Sequence, residues 1–157
     1  MKCFFAPWRY KFIKSEKPDH CVFCHALSEN NDKVYHIVKR GTHSFVMLNK
    51  FPYTSGHVMI IPNRHTSDLV SLTTEEALEI TSFIQEFTKV LKKSFNPEGF
   101  NIGMNIGKPG GAGIEDHLHV HIVPRWNGDN NFMPVIGHTR IHPIDLDTVF
   151  EIIKENL

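Results

Sequence analysis

Residues 117–124 read His-Leu-His-Val-His-Ile-Val-Pro, and this run decides how the rest of the chain is interpreted. Side chains alternate between the two faces of a β-strand. His117, His119 and His121 therefore share one face, while Leu118, Val120 and Ile122 share the other. The apolar face reads as a core surface packed on a helix. The imidazoles stand roughly 7 Å apart, twice the ~3.3 Å rise per residue. A lone histidine on a strand usually packs or meets solvent. Three in alternation behind the glycine-rich run GKPGGAG (residues 107–113) read as a phosphate-handling centre, because glycine permits close backbone approach. Two chemistries are open. Three imidazoles can hold a catalytic metal. Alternatively, the middle one can act as a nucleophile, one nitrogen facing phosphorus and the other held by an acceptor. Asp116, the adjacent carboxylate, points to the opposite face, which favours the nucleophile.

Working outward, GFNIGMN (99–105) reads as a strand leading into the glycine loop. Thr73 to Phe95 reads as one long helix. Thr73 and Glu76 have capping-box spacing, Glu75 adds charge to the first turn, and Ile80, Ile84, Phe87 and Leu91 form an apolar stripe. Lys89, Lys92 and Lys93 suit its C-terminal end, and Pro97 stops it. Three further strands are predicted in VYHIVK (34–39), SFVMLN (44–49) and GHVMIIP (56–62), the last two joined by KFPYTSG. SENNDK (28–33) reads as a polar turn, and residues 145–157 as a short helix. Strands on both sides of one long helix imply an α+β domain with an antiparallel sheet of about five strands.

The chain has 157 residues, about one domain, with Lys plus Arg and Asp plus Glu both at 17. That balance argues against a polyanion-coating surface, so no nucleic-acid partner is expected. No apolar run reaches the roughly 18–20 residues that a membrane helix needs. The N-terminal MKCFFAPWRYKFIK is interrupted by Pro7 and lacks a small-residue cleavage site, so no signal peptide is expected. Three cysteines, with Cys21 and Cys24 as C-x-x-C, fit a reducing compartment and a metal or redox pair better than a disulfide framework. The expected location is cytoplasmic. One domain is expected over 1–157: an N-terminal arm (1–20), a core (21–126) and a C-terminal segment (127–157). Trp126, Phe132 and Met133 suit either packing, a base contact or a dimer surface.

The run from His117 to Arg125, with the upstream segment LNKFPYTSGHVMIIPNRH, resembles the histidine-triad (HIT) nucleotide hydrolases and transferases. With APWR, CVFC and PRWNGDNNFMPVIG added, it is most similar to bacterial diadenosine-tetraphosphate (Ap4A) phosphorylases. The resemblance implies a HIT-like fold and a homodimer whose sheet continues across the interface. It implies cleavage of a nucleotide or dinucleoside polyphosphate by attack of His119 on the α-phosphorus, with water or phosphate resolving the nucleotidyl-histidine. His121 would contact phosphate oxygens, and His117 would hold position and touch the leaving side. Asn49 would bind the ribose, with His57 in the same segment. Asn105 and the N–H groups of Gly111, Ala112 and Gly113 would cradle phosphate. Gly113 and Ile114 stand where many members carry Gln followed by Ser or Thr, a departure that bears on phosphate contacts. Several members bind zinc, which here would match Cys21, Cys24, His65 and His117 as a closed structural site. No organic cofactor is implied. A phosphoramidate hydrolase, a metal-dependent hydrolase with the triad as ligands, and a regulatory module with a vestigial triad are the alternatives.

Overall fold

The computed structural model describes residues 20–129, 136 and 142–157. The arm up to residue 19, with APWR and Cys3, lies outside them, as do Phe132, Met133 and His138. Five strands form one sheet: β1 Ile37–Arg40, β2 Ser44–Leu48, β3 Val58–Pro62, β4 Gly99–Met104 and β5 Val120–Arg125. Their order is β1-β2-β3-β5-β4, and every neighbouring pair is antiparallel. The α+β class with one long and one short C-terminal helix is observed.

Strand alternation divides the apolar residues between two layers. Val46 and Leu48 of β2, Val58 and Ile60 of β3, and Val120 and Ile122 of β5 face one side. They pack against Ile80, Phe83, Phe87 and Leu91 of α3 (Thr74–Phe95) and Val149, Phe150 and Ile153 of α4 (Leu146–Asn156). Phe45, Met59 and Ile61 face the other side, where Phe23 and Ala26 of α1 (Val22–Ser28) cover them. His121 pairs with Met59 and so lies on the α1 side of the sheet.

Helix α3 starts as its sequence dictates. Thr73 accepts from the Glu76 N–H at 3.2 Å, and Glu76 accepts from the Thr73 N–H at 2.9 Å. Asp145 caps α4 by accepting from the Thr148 N–H. Glu79 of α3 ties the β1–β2 turn, accepting from the N–H groups of Thr42 and His43 and from the Ser44 hydroxyl.

Three expectations need correction. Val34 and Tyr35 are not strand; they end a short helix, α2 (Asp32–Tyr35). Asn31 caps α2, and His36 leaves it at φ +55°, the left-handed turn that aims the chain into β1. The expected turn over 28–33 is shorter, because Ser28 ends α1, which follows directly from Cys21, and Asp32 and Lys33 open α2. Finally, β5 begins at Val120, so His117 and His119 precede the ladder. There the Leu118 N–H donates to the Thr66 carbonyl, which draws the chain away from β3.

Replacing Thr73 by Ala removes one half of the capping box. We expect Thr73→Ala to lower stability by about 1 kcal/mol, read as a reduced urea midpoint with an unchanged slope.

Candidate active site and metal centre

The histidines cluster on the α1 side of the sheet, at the junction of the 117–119 segment with β5. His117 is fully buried, His119 is 5% exposed and His121 8%. Phe23 of α1 packs edge-on to His117 and against His119. The rings of His119 and His121 lie 4.8 Å apart, nearly perpendicular.

Backbone partners fix the ring protons. The Tyr53 N–H donates to His57 Nδ1 at 3.1 Å, so the neutral His57 carries its proton on Nε2. That proton is donated to His121 Nδ1 at 2.9 Å. His121 therefore bears its own proton on Nε2, which is buried and has no hydrogen-bond partner among the described residues. In His119 the order is reversed. Its Nδ1–H donates to the His117 carbonyl at 2.8 Å, leaving a lone pair on Nε2. A bare nitrogen and an N–H donor thus stand on adjacent rings. A nucleophile beside an anion contact needs this combination.

His117 faces elsewhere. Its Nε2–H donates to the Pro62 carbonyl at 2.9 Å, so Nδ1 is bare. This nitrogen lies 3.2 Å from Cys21 Sγ, 3.6 Å from Cys24 Sγ and 3.3 Å from His65 Nδ1. Cys24 Sγ is 3.4 Å from His65 Nδ1, and all four atoms fall within 4.8 Å of one another. A tetrahedral ion with bonds of about 2.3 Å to sulfur and 2.0–2.1 Å to nitrogen requires N···N near ~3.3 Å and S···N near ~3.6 Å. Four of the six spacings in the cluster, at 3.2–3.6 Å, lie within about 0.4 Å of those values. The contact from Nε2 to a carbonyl supplies the outer partner that a ligating histidine usually has.

The other predicted contacts are distributed around this centre. His57 is buried behind His121, bonded to it rather than facing the cleft. Asn49 lies next to His57, with Nδ2 at 3.5 Å from Nδ1, and its Oδ1 accepts from the Phe51 N–H. Asn105 and His121 line a cleft of about 770 Å³ together with Tyr53, Asn101, Arg125 and Trp126. In the glycine loop, Gly111 (φ +90°) closes a turn whose carbonyl is 3.5 Å from Asn105 Nδ2. Ala112 is buried and Gly113 is exposed. Sequence reasoning did not single out Phe23, the Tyr53 amide, or the Arg125–Asp129 ion pair that also engages Asn101. Phe23 and the Arg125–Asn101 contact depend on partners distant in sequence and the Tyr53 amide is a main-chain atom, whereas Arg125 and Asp129 pair across only four residues.

Burial pushes all three triad imidazoles below their ordinary pKa, that of His121 to about 4, with the neighbouring His119 adding to the effect. The neutral forms therefore belong to the folded state. The unfolded chain takes up protons below about pH 6.5. Stability is whole above that pH and falls as pH drops toward 4. We expect denaturant midpoints to fall between pH 7 and pH 5, with a shallower fall in His121→Gln. A flat wild-type profile would contradict the burial argument.

Comparisons with known proteins bear on the family and the fold. Residues 30–128 match the family model for the HIT domain. Over 107 residues the chain is 43% identical to a protein named AP-4-A phosphorylase from Mycobacterium tuberculosis, covering 68% of this chain and 55% of that one. The chain thus spans about half the length of that relative. A bis(5'-adenosyl)-triphosphatase from Dictyostelium discoideum is 34% identical over 86 residues, 55% of this chain and 57% of its own. Among solved structures, a zinc-bound histidine triad family protein from Mycobacterium smegmatis superposes with a TM-score of 0.70. It is 28% identical, and the match covers 87% of this chain and 91% of that one. Fold, motif and family match coincide, and the chain belongs to the histidine triad (HIT) family.

Proposed function

We propose that this chain is a nucleotidyl-transfer enzyme that cleaves dinucleoside polyphosphates such as Ap4A through a covalent intermediate on His119. The observation that carries the reading is the pairing of a bare His119 Nε2 with the Nε2–H of His121 on two largely buried rings. The named activities of the Mycobacterium tuberculosis and Dictyostelium discoideum relatives support the substrate class. His119 Nε2 attacks the α-phosphorus, and the P–O bond to the rest of the chain breaks. The leaving nucleoside polyphosphate takes that electron pair. His121 donates to a non-bridging oxygen as charge builds there. Water or phosphate then attacks the same phosphorus from its own oxygen, the P–N bond breaks, and its electron pair returns to His119. Asn49 holds the ribose, while Asn105 and the amides of Gly111, Ala112 and Gly113 hold phosphate. His57 maintains the tautomer of His121.

Cys21, Cys24, His65 and His117 would hold zinc. Two thiolates and two imidazoles would leave no position open to substrate, so a bound ion would supply a structural clamp. This leaves the metal-dependent hydrolase without support, because His117 Nδ1 faces the cysteines and His121 Nε2 carries a proton. A phosphoramidate would use the same nucleophile with an amine as leaving group. Edge strand β4 exposes Ile102 and Met104, which suits the proposed homodimer with a continuous sheet. Cys21 and Cys24, which form no disulfide, suit a cytoplasmic location. No helix among the described residues is long and apolar enough to cross a membrane.

Incubation of Ap4A with phosphate should yield ADP plus ATP, and without phosphate AMP plus ATP. No cleavage under either condition would overturn the reading. His119→Ala should lower turnover on the order of 10³-fold or more while sparing binding. Elemental analysis should find about one zinc per chain, lost in Cys24→Ser.

A further inference from the structure

We infer that Arg64 is a positioning residue that fixes the corner joining the metal ligands to the nucleophile. The inference rests on the proposed roles of His65, His117 and His119. Segment 62–66 grips the start of the triad at three points: the Pro62 carbonyl accepts from His117 Nε2, the Thr66 carbonyl accepts from the Leu118 N–H at 2.6 Å, and His65 Nδ1 stands 3.3 Å from His117 Nδ1. Arg64 lies at the middle of this segment, and its guanidinium is anchored on helix α3. Nε and Nη2 donate to the two oxygens of Glu76 at 2.9 and 2.8 Å, and Nη2 also donates to the Ser71 carbonyl at 2.8 Å.

Glu76 is itself fixed. It is 5% exposed and accepts from the Thr73 N–H as half of the capping box. The planar fork of arginine can satisfy both carboxylate oxygens, which a lysine ammonium cannot do. A rigid helix end thereby sets the segment that orients His117. The His117 carbonyl in turn holds the Nδ1 proton of His119. The hydrogen bonds of the Arg64 side chain among the described residues go to Glu76 and Ser71, so Arg64 acts on the histidines through the backbone on either side of it.

The test compares Arg64→Ala and Arg64→Lys with Phe83→Leu, a core substitution that reports stability loss alone. Three quantities are measured: zinc affinity by competition with a chromophoric chelator, hydrogen exchange of the Leu118 amide, and kcat and KM on Ap4A. In Arg64→Ala, zinc affinity should fall about tenfold or more, and Leu118 exchange should accelerate beyond that in Phe83→Leu. The kcat should fall about tenfold, with KM within about twofold of wild type. Arg64→Lys, which keeps the charge but not the fork, should fall between, and it carries the test if Arg64→Ala does not fold. Wild-type protection of Leu118 together with unchanged zinc affinity would overturn the inference. Should Ap4A not be a substrate, the kcat comparison fails with the functional reading, while Leu118 exchange still decides the role of Arg64.

Discussion

The hydrogen bond from His119 Nδ1 to the His117 carbonyl is the contact through which scaffold and chemistry meet. It decides which nitrogen of His119 is bare, and its strength depends on how firmly His117 is held. His117 is held by both ring nitrogens, one on the Pro62 carbonyl and one at the Cys21–Cys24–His65 cluster. Fully buried, the ring has no water to replace either partner, so loss of one leaves a polar atom unsatisfied. The residue that opens the triad is thus its mechanical support.

A second constraint runs from the opposite side. The Tyr53 amide, itself unable to titrate, starts a chain of donors through His57 to His121. One main-chain N–H therefore orients two rings, and burial disfavours the charged form of His121. Neutral rings with assigned tautomers suit a site in which one nitrogen attacks and its neighbour donates. A charged imidazole would have no lone pair to offer.

The sheet serves these contacts by separating two layers. Helices α3 and α4 bury the face that carries Val120 and Ile122, while α1 covers only part of the other, next to His119. Phe23 belongs both to that smaller core and to the triad's surroundings. The Cys21–Cys24–His65–His117 cluster begins at the N-cap of the same helix, so α1 bridges packing and the candidate site within a few residues.

Local pattern carried much of the fold. The capping box at Thr73 and Glu76, the stripe through Ile80, Ile84, Phe87 and Leu91, and the alternation around Val120 arise between neighbours in sequence, so periodicity suffices to read them. The grouping of the histidines and the C-x-x-C pair was legible because these residue types have few common uses together. Other features were not. His36 in the left-handed region, the departure of His117 and His119 from the ladder, and the short helix α1 each follow from contacts with remote main-chain atoms or from covering a distant apolar face. The sequence by itself determined the layers of the fold and which side chains are chemically capable. Tertiary structure alone decided that His117 leans on the Pro62 carbonyl, that His57 backs His121, and where each imidazole proton resides. Those outcomes depend on carbonyl and amide groups, which every residue possesses and no residue type announces.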